Sequence, residues 1–177
     1  DDDLKKDGVF VLNHYSHKNL SRIFREYADF KNPNVIVDAI VESRSKKLIK
    51  TTYEFKNIIN NALSYQNENK FFARLFQAVR IEVNDEIGAL KDLLEQCLEI
   101  LKPSGRIAII SYHSVEDRVV KSFMKFGNFS NSPYKDFFGN AEKPFRVVTK
   151  KPITPSMSEI KSNNKSRSAK LRICEKI

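Results

Sequence analysis

Cysteine is scarce in this chain, with Cys97 and Cys174 the two among 177 residues. They stand far apart and have no His or Cys neighbour at ligand spacing, so neither a disulfide framework nor a zinc site is expected, and both read as buried thiols. Glycine is almost as sparse. Gly8, Gly88, Gly105, Gly127 and Gly139 never fall close enough to make a G-x-G turn, which excludes a phosphate or dinucleotide cradle built from them. No charged-then-apolar leader, lipidation signal or long apolar run is present, so the expectation is a cytoplasmic protein with no membrane span. His113 lacks the second His that metalloprotease helices supply, and no metal site is expected.

What is present is enough for a sizeable core: 41% hydrophobic residues, thirteen of them Phe, in a length that suits one domain or two small ones. The formal charge of +9 is uneven. Arg146 to Ile177 carries nine Lys or Arg against Glu159 and Glu175, a surplus of seven, which makes this end the candidate polyanion surface. The bland alternative is a solvated basic tail.

The most informative stretch is Arg106-Ile107-Ala108-Ile109-Ile110-Ser111-Tyr112-His113-Ser114-Val115-Glu116-Asp117-Arg118. Its short β-branched run, preceded by Pro103-Ser104-Gly105, predicts a buried strand. Ser114 to Asp117 has capping-box spacing, so a helix is expected with Ser114 as its cap, Val115, Val119, Val120, Phe123 and Met124 on one face and Gly127 ending it. Strand, polar turn and helix make half of a βαβ unit, and in open α/β sheets ligands gather beyond the carboxyl ends of the strands, where His113 would lie. His113 with Glu116 and Asp117 invites a catalytic reading; the alternative is that all three merely fix the turn and the helix start.

Elsewhere, Asp1 to Gly8 reads as a frayed start. Ser16 is placed to cap a helix with Leu20, Ile23, Phe24 and Tyr27 on one face; a second follows Pro33 with Val35, Ile36, Ala39, Ile40 and Val41; a third begins at Thr52 with Phe55, Ile58, Ile59, Ala62 and Leu63. These suggest a small helical subdomain ending near the polar segment Gln66 to Lys70. Phe71 to Asn84 and Asp85 to Leu101 read as continuing helix, Asn128 to Lys143 as loop, and Phe145–Lys151 and Ser168–Cys174 as strands, the latter with Leu171 and Ile173 inward. The expected domains are therefore 1–70 and 71–177. Arg74, Gln77, Arg80 and Asn84 form a polar stripe that is ordinarily a solvated face. Asn131-Ser132-Pro133-Tyr134 is similar to the motif of amino-methyltransferases, but it has one Pro instead of two and follows a helix, so it reads as coincidence.

Four ordered blocks carry a family resemblance: Phe76-Gln77-Ala78-Val79-Arg80-Ile81-Glu82-Val83-Asn84-Asp85-Glu86, Leu101-Lys102-Pro103-Ser104-Gly105-Arg106, Ile110 to Lys121, and Ser166-Arg167-Ser168-Ala169-Lys170-Leu171-Arg172. Together they resemble the C-terminal blocks of the bacterial 16S ribosomal RNA cytosine-N4 methyltransferases. The resemblance implies an α/β fold, the C-terminal part of a class I (Rossmann-like) S-adenosylmethionine-dependent methyltransferase sheet (strands 5, 7 and 6), with an all-α inserted substrate-recognition subdomain over 1–70. It implies N4-methylation of a decoding-centre cytidine, with 16S rRNA in the small subunit as partner. The cofactor would be S-adenosyl-L-methionine, held by a glycine-rich loop upstream of Asp1, so the chain alone is expected to be inactive. By the same resemblance His113, Ser114, Glu116 and Asp117 would build the catalytic pocket. Arg80, Asn84, Arg118, Arg167, Lys170 and Arg172 would contact RNA. Ser104 stands where the family tends to have Gly. The open edge of the fifth strand would be covered by a missing N-terminal half or by self-association. Rival readings are a non-catalytic RNA-binding module and, last, a hydrolase using His113.

Overall fold

The computed structural model describes residues 6–63, 68–134, 137–140 and 143–177. The chain divides into two compact units, Asp1–Glu86 and Ile87–Ile177.

The first unit is helical: α1 (Gly8–His14), α2 (His17–Ala28), α3 (Asn34–Lys46), α4 (Thr52–Ala62) and α5 (Glu68–Asn84). The region expected to be frayed contributes α1 instead. The Asp7 carboxylate accepts the Phe10 N–H at 2.7 Å and so caps a helix whose Val11 and Leu12 are buried. The helix is only seven residues long, too short for its periodicity to stand out in the sequence. Asp1 to Lys5 and residues 64–67, which include part of the expected boundary, lie outside the described residues. Ser16 caps α2 as expected, taking the Asn19 N–H at 3.2 Å. Thr51 and Glu54 close a reciprocal capping box on α4. In α3 the buried face is Ile36, Val37 and Ile40, while Val35 is 49% exposed, so the apolar stripe is rotated by one position from the expected one. Leu20, Ile23, Phe24, Val37, Ile40, Phe55, Ile59 and Leu75 form the centre of this core.

One buried acid organises the polar side of the helical unit. Glu82 on α5 accepts from the Tyr15 hydroxyl at 2.7 Å, Arg22 Nη2 at 2.9 Å and Lys6 Nζ at 3.3 Å. Burial alone would raise its pKa, but the Tyr15, Arg22 and Lys6 donors outweigh that and hold it below the ordinary glutamate range.

The second unit contains α6 (Glu86–Ile100) from its second residue on, β1 (Arg106–Ser111), α7 (Ser114–Phe126), β2 (Phe145–Val147), α8 (Met157–Ser162) and β3 (Lys170–Lys176), with a 3-10 turn over Asn164–Ser168 before β3. The helix expected to run on from α5 is interrupted at Asp85, whose φ of 49° is left-handed. The sheet is antiparallel, in the order β1-β3-β2, with β3 central and antiparallel to both neighbours. β1 and β2 therefore run parallel to each other. β2 is three residues long, because beyond Val147 the Val148 and Thr149 N–H groups both converge on the Ile173 carbonyl rather than extending the ladder.

The register is offset from the expected one by a residue. Arg172 and Cys174, not Leu171 and Ile173, are the buried positions of β3, and they sit opposite Ile109 and Ile107. A one-residue change in strand phase moves every side chain to the other face. The core on the α7 side is built from Leu94, Ile107, Val120, Phe123, Met124, Phe145 and Cys174. Burial, and secondarily Cys97, pushes the Cys174 thiol up to about 12, which leaves it a packing residue; Cys97 is half-buried. Gly127 ends α7 with φ 73°, and its N–H reaches the Phe123 carbonyl at 2.7 Å. Among the described residues, no helix is long and apolar enough to cross a membrane.

Candidate functional site

β1 delivers Ser111, Tyr112 and His113 to the carboxyl edge of the sheet, and α7 starts at once. The cap of α7 is His113, not Ser114. His113 Nδ1 accepts the Glu116 N–H at 3.2 Å, and the Glu116 carboxylate reciprocates by accepting the Tyr112 and His113 N–H groups at 2.8 and 3.2 Å through Oε2. The box is thus displaced by one residue from the expected spacing, because an imidazole nitrogen takes the place of a hydroxyl. With Nδ1 accepting, the neutral ring carries its proton on Nε2, which lies 3.4 Å from Glu116 Oε1. The His113 side chain is 12% exposed. Ser114 is the first helical residue and is exposed at the end of the turn.

Asp117 has a different task. Its carboxylate turns toward β3 and takes a two-pronged contact from Arg172, Nε to Oδ1 at 2.6 Å and Nη2 to Oδ2 at 3.1 Å, with Lys170 Nζ at 3.3 Å from Oδ2. Burial would raise the Asp117 pKa; the Arg172 and Lys170 donors outweigh it and keep the carboxyl below its usual range. Asp117 is therefore an ionised brace between the first turn of α7 and the last strand. Ser111, opposite Lys170 in the ladder, donates its hydroxyl to the Lys170 carbonyl at 3.4 Å. The sequence-expected catalytic quartet is thus gathered at one strand-to-helix turn, two of its members capping, one bracing and one exposed.

The whole second unit is built around this junction, and the match to known proteins runs through it. A family model described as the MraW methylase family matches residues 2–177. The chain belongs to that family. A relative named ribosomal RNA small subunit methyltransferase H from Flavobacterium johnsoniae is 50% identical over 167 residues, covering 94% of this chain and 55% of the relative. Proteins of the same name from Parabacteroides distasonis and Karelsulcia muelleri are 44% and 48% identical, covering 94% and 97% of this chain and 55% and 57% of their own lengths. The chain spans a little over half the length of these MraW relatives.

The basic residues of this MraW chain are divided between the units. Near the turn, Arg118 is exposed on the first turn of α7, Arg167 is exposed in the 3-10 turn, and the Lys170 side chain is 40% exposed beside Asp117. Arg172 is 8% exposed, its guanidinium facing the Asp117 carboxylate, so its charge is directed inward rather than at solvent. Arg80 and Asn84 belong to the helical unit, at the end of α5. There Arg80 forks onto Glu86 at 2.8 and 3.2 Å, and Asn84 Nδ2 donates to the same carboxylate at 3.2 Å.

Two residues went without a role in the sequence. Tyr112 is 56% exposed at the carboxyl end of β1, beside the cap; its signal was its place directly after a buried strand. Glu82 gave no local signal, since its three partners come from 60 to 76 residues away.

Proposed function

We propose that this chain is the C-terminal portion of an S-adenosylmethionine-dependent methyltransferase that N4-methylates a cytidine of 16S rRNA in the small-subunit decoding centre. The observation that carries the reading is the family match across 2–177, joined to relatives whose name states small-subunit ribosomal RNA as substrate. The sheet supports it: β1, β3 and β2 have the order and directions expected of strands 5, 7 and 6 of a class I methyltransferase. In this reading residues 1–70 are the inserted substrate-recognition subdomain and 71–177 the end of the Rossmann-like domain.

S-adenosylmethionine would supply an electrophilic methyl group, but this chain's own residues do not fit it. The five glycines are scattered, and the N–H groups of Tyr112 and His113, which would otherwise face a ligand at the strand end, are already taken by Glu116. The cofactor is therefore assigned to residues outside this sequence. What the chain supplies is position. A base amine whose lone pair is delocalised into its ring reacts only when held in line, so rigid walls and fixed phosphates carry much of the catalytic burden. The His113–Glu116 box makes the turn rigid and leaves Tyr112 and Ser114 to line the base pocket. Arg118, Arg167 and Lys170 are proposed to hold the flanking phosphates, which turn the target nucleotide out of its stack. Arg172 acts behind Lys170, through Asp117. Arg80 and Asn84 are assigned to the RNA path on the helical unit.

The test is methyl transfer from tritiated S-adenosylmethionine to small ribosomal subunits by the full-length gene product, with nucleoside analysis of the labelled RNA. N4-methylcytidine is expected, with loss of RNA affinity on Arg118→Glu and Arg167→Glu. Label in another base, or none, overturns the reading. The 177-residue chain alone is expected to bind RNA without transferring methyl groups and, because β1 has an open edge in the described sheet, to self-associate in light scattering.

A further inference from the structure

The opposite end of the sheet carries a basic, aromatic-floored cleft that the proposed activity does not use. Pro103 and Ser104 precede β1 while His113 follows it, so a six-residue strand, roughly 20 Å, separates the two ends. The cleft has a volume of about 750 Å³ and is lined by Lys125, Phe126, Lys143, Arg146 and Lys176 among others. A second hollow of about 390 Å³ shares Lys143 with it and adds Tyr134. Each is in the size range of small-molecule sites.

The charges are arranged for an anion. The one acidic side chain among the described lining residues, Glu175, accepts from Arg106 at 2.9 Å and Arg146 at 2.5 Å, so its charge is already answered. Lys176 is fixed in place by donating to the Leu98 and Leu101 carbonyls at the end of α6, both at 2.7 Å. Lys125 and Lys143 are exposed, and among the described residues no carboxylate pairs with either. Lys125 lies 4.6 Å from the centre of the half-buried Phe126 ring, and Tyr134 is 63% exposed. Asn128 ties the loop between: its Nδ2 donates to the Phe126 and Ser132 carbonyls and its Oδ1 accepts the Ser130 N–H at 2.9 Å. Tyr134 is therefore offered from a tethered turn. Cations along a groove beside an open aromatic face are the requirements of single-stranded nucleic acid: phosphates for the charges, an unstacked base for the ring.

We propose that this cleft is a second, single-strand-specific RNA-binding groove, in which Lys125 and Lys143 take backbone phosphates while Tyr134 stacks a base. It rests on the reading that this chain acts on RNA, and it adds that RNA is gripped at the end of the sheet remote from His113 as well as beside it.

The experiment measures fluorescence anisotropy of a labelled, unstructured 16-nucleotide RNA, alone and annealed to its complement, against the full-length protein over a salt series. Lys125→Glu with Lys143→Glu is expected to weaken single-strand binding at least tenfold and to reduce the salt slope by about 1.4, two phosphates' worth. Tyr134→Ser is expected to weaken it about tenfold with the slope unchanged, as loss of one stacked base requires. Both variants alter exposed side chains, and thermal melts check that they fold. Wild-type affinity in both variants, or equal affinity for single strand and duplex, overturns the proposal. Arg118→Glu with Arg167→Glu separates it from the proposed function. Loss there but not in the cleft variants refutes this groove alone; loss in the cleft variants but not there supports the groove and refutes the phosphate contacts beside His113. No RNA binding by the wild type refutes both.

Discussion

Asp117→Asn should be among the most damaging conservative changes in the second unit. The Asp117 and Arg172 side chains are 12% and 10% exposed and meet through two hydrogen bonds, one of 2.6 Å, so the variant leaves a nearly buried guanidinium facing an amide. Removing one member of a buried pair costs about 3–5 kcal/mol, chiefly the penalty of the charge left behind. Asn retains one acceptor, and the partly exposed Lys170 turns to water, so the lower end, about 3 kcal/mol, is expected. In a chain of this size that lowers Tm by roughly 6–12 °C. Urea unfolding of the wild type, Asp117→Asn, Arg172→Met and the double variant gives the coupling, which should reach about 2 kcal/mol because the second change removes the stranded charge.

The pH dependence follows from the same contact. The folded carboxyl titrates below its ordinary value, so as pH falls the unfolded chain takes up the proton first, near pH 4. The pair's contribution is complete above that pH and is lost on further acidification through the folded pKa. Wild type and Asp117→Asn should therefore converge in stability at low pH. A coupling below about 0.5 kcal/mol, or a difference that persists unchanged to pH 2, would refute the assignment of Asp117 as a brace.

Glu82→Gln removes the charge that Arg22 and Lys6 share, but both cations are about 40% exposed and can turn to water, so the helical unit should lose about 1–2 kcal/mol, read as an earlier loss of helical circular dichroism in urea. Its folded pKa is also depressed, so this difference too should shrink below about pH 4. Gly127→Ala combines φ 73° with a Cβ that would lie 2.3 Å from Pro144 Cγ, and is expected to cost about 2 kcal/mol or more in the same assay. Ser104→Gly should do the reverse: Ser104 has φ 66°, and relief of that strain, less the added freedom of the unfolded chain, should stabilise by about 0.5–1 kcal/mol.

Much of the local structure was legible because its causes are local. A hydroxyl three residues before the amide it accepts caps α2 and α4, a β-branched run between breakers makes β1, and Gly127 closes α7 because few other residues take its φ. Ser104 carried a hint as well, since the family resemblance implied Gly there, and its left-handed backbone is a conformation that favours Gly. The shape of the candidate site was only half legible. His113, Ser114, Glu116 and Asp117 had to lie together, being consecutive or nearly so, but which of them caps the helix depended on the backbone angle at which the strand hands over to it.

The amino-acid sequence by itself determined the family, the order of α2 to α7 and of the three strands, and the position of the polar turn after β1, since each rests on residues within a few places of one another. Tertiary structure alone decided which face of β3 is buried, because alternation gives two faces and only the packing of α7 selects one; Arg172 went inward since Asp117 was there to meet it, 55 residues away. It also decided that Glu82 would be a hub and that Lys125, Lys143 and Arg146 would share a cleft. Those assignments depend on distances between remote segments, and no local pattern of side chains encodes them.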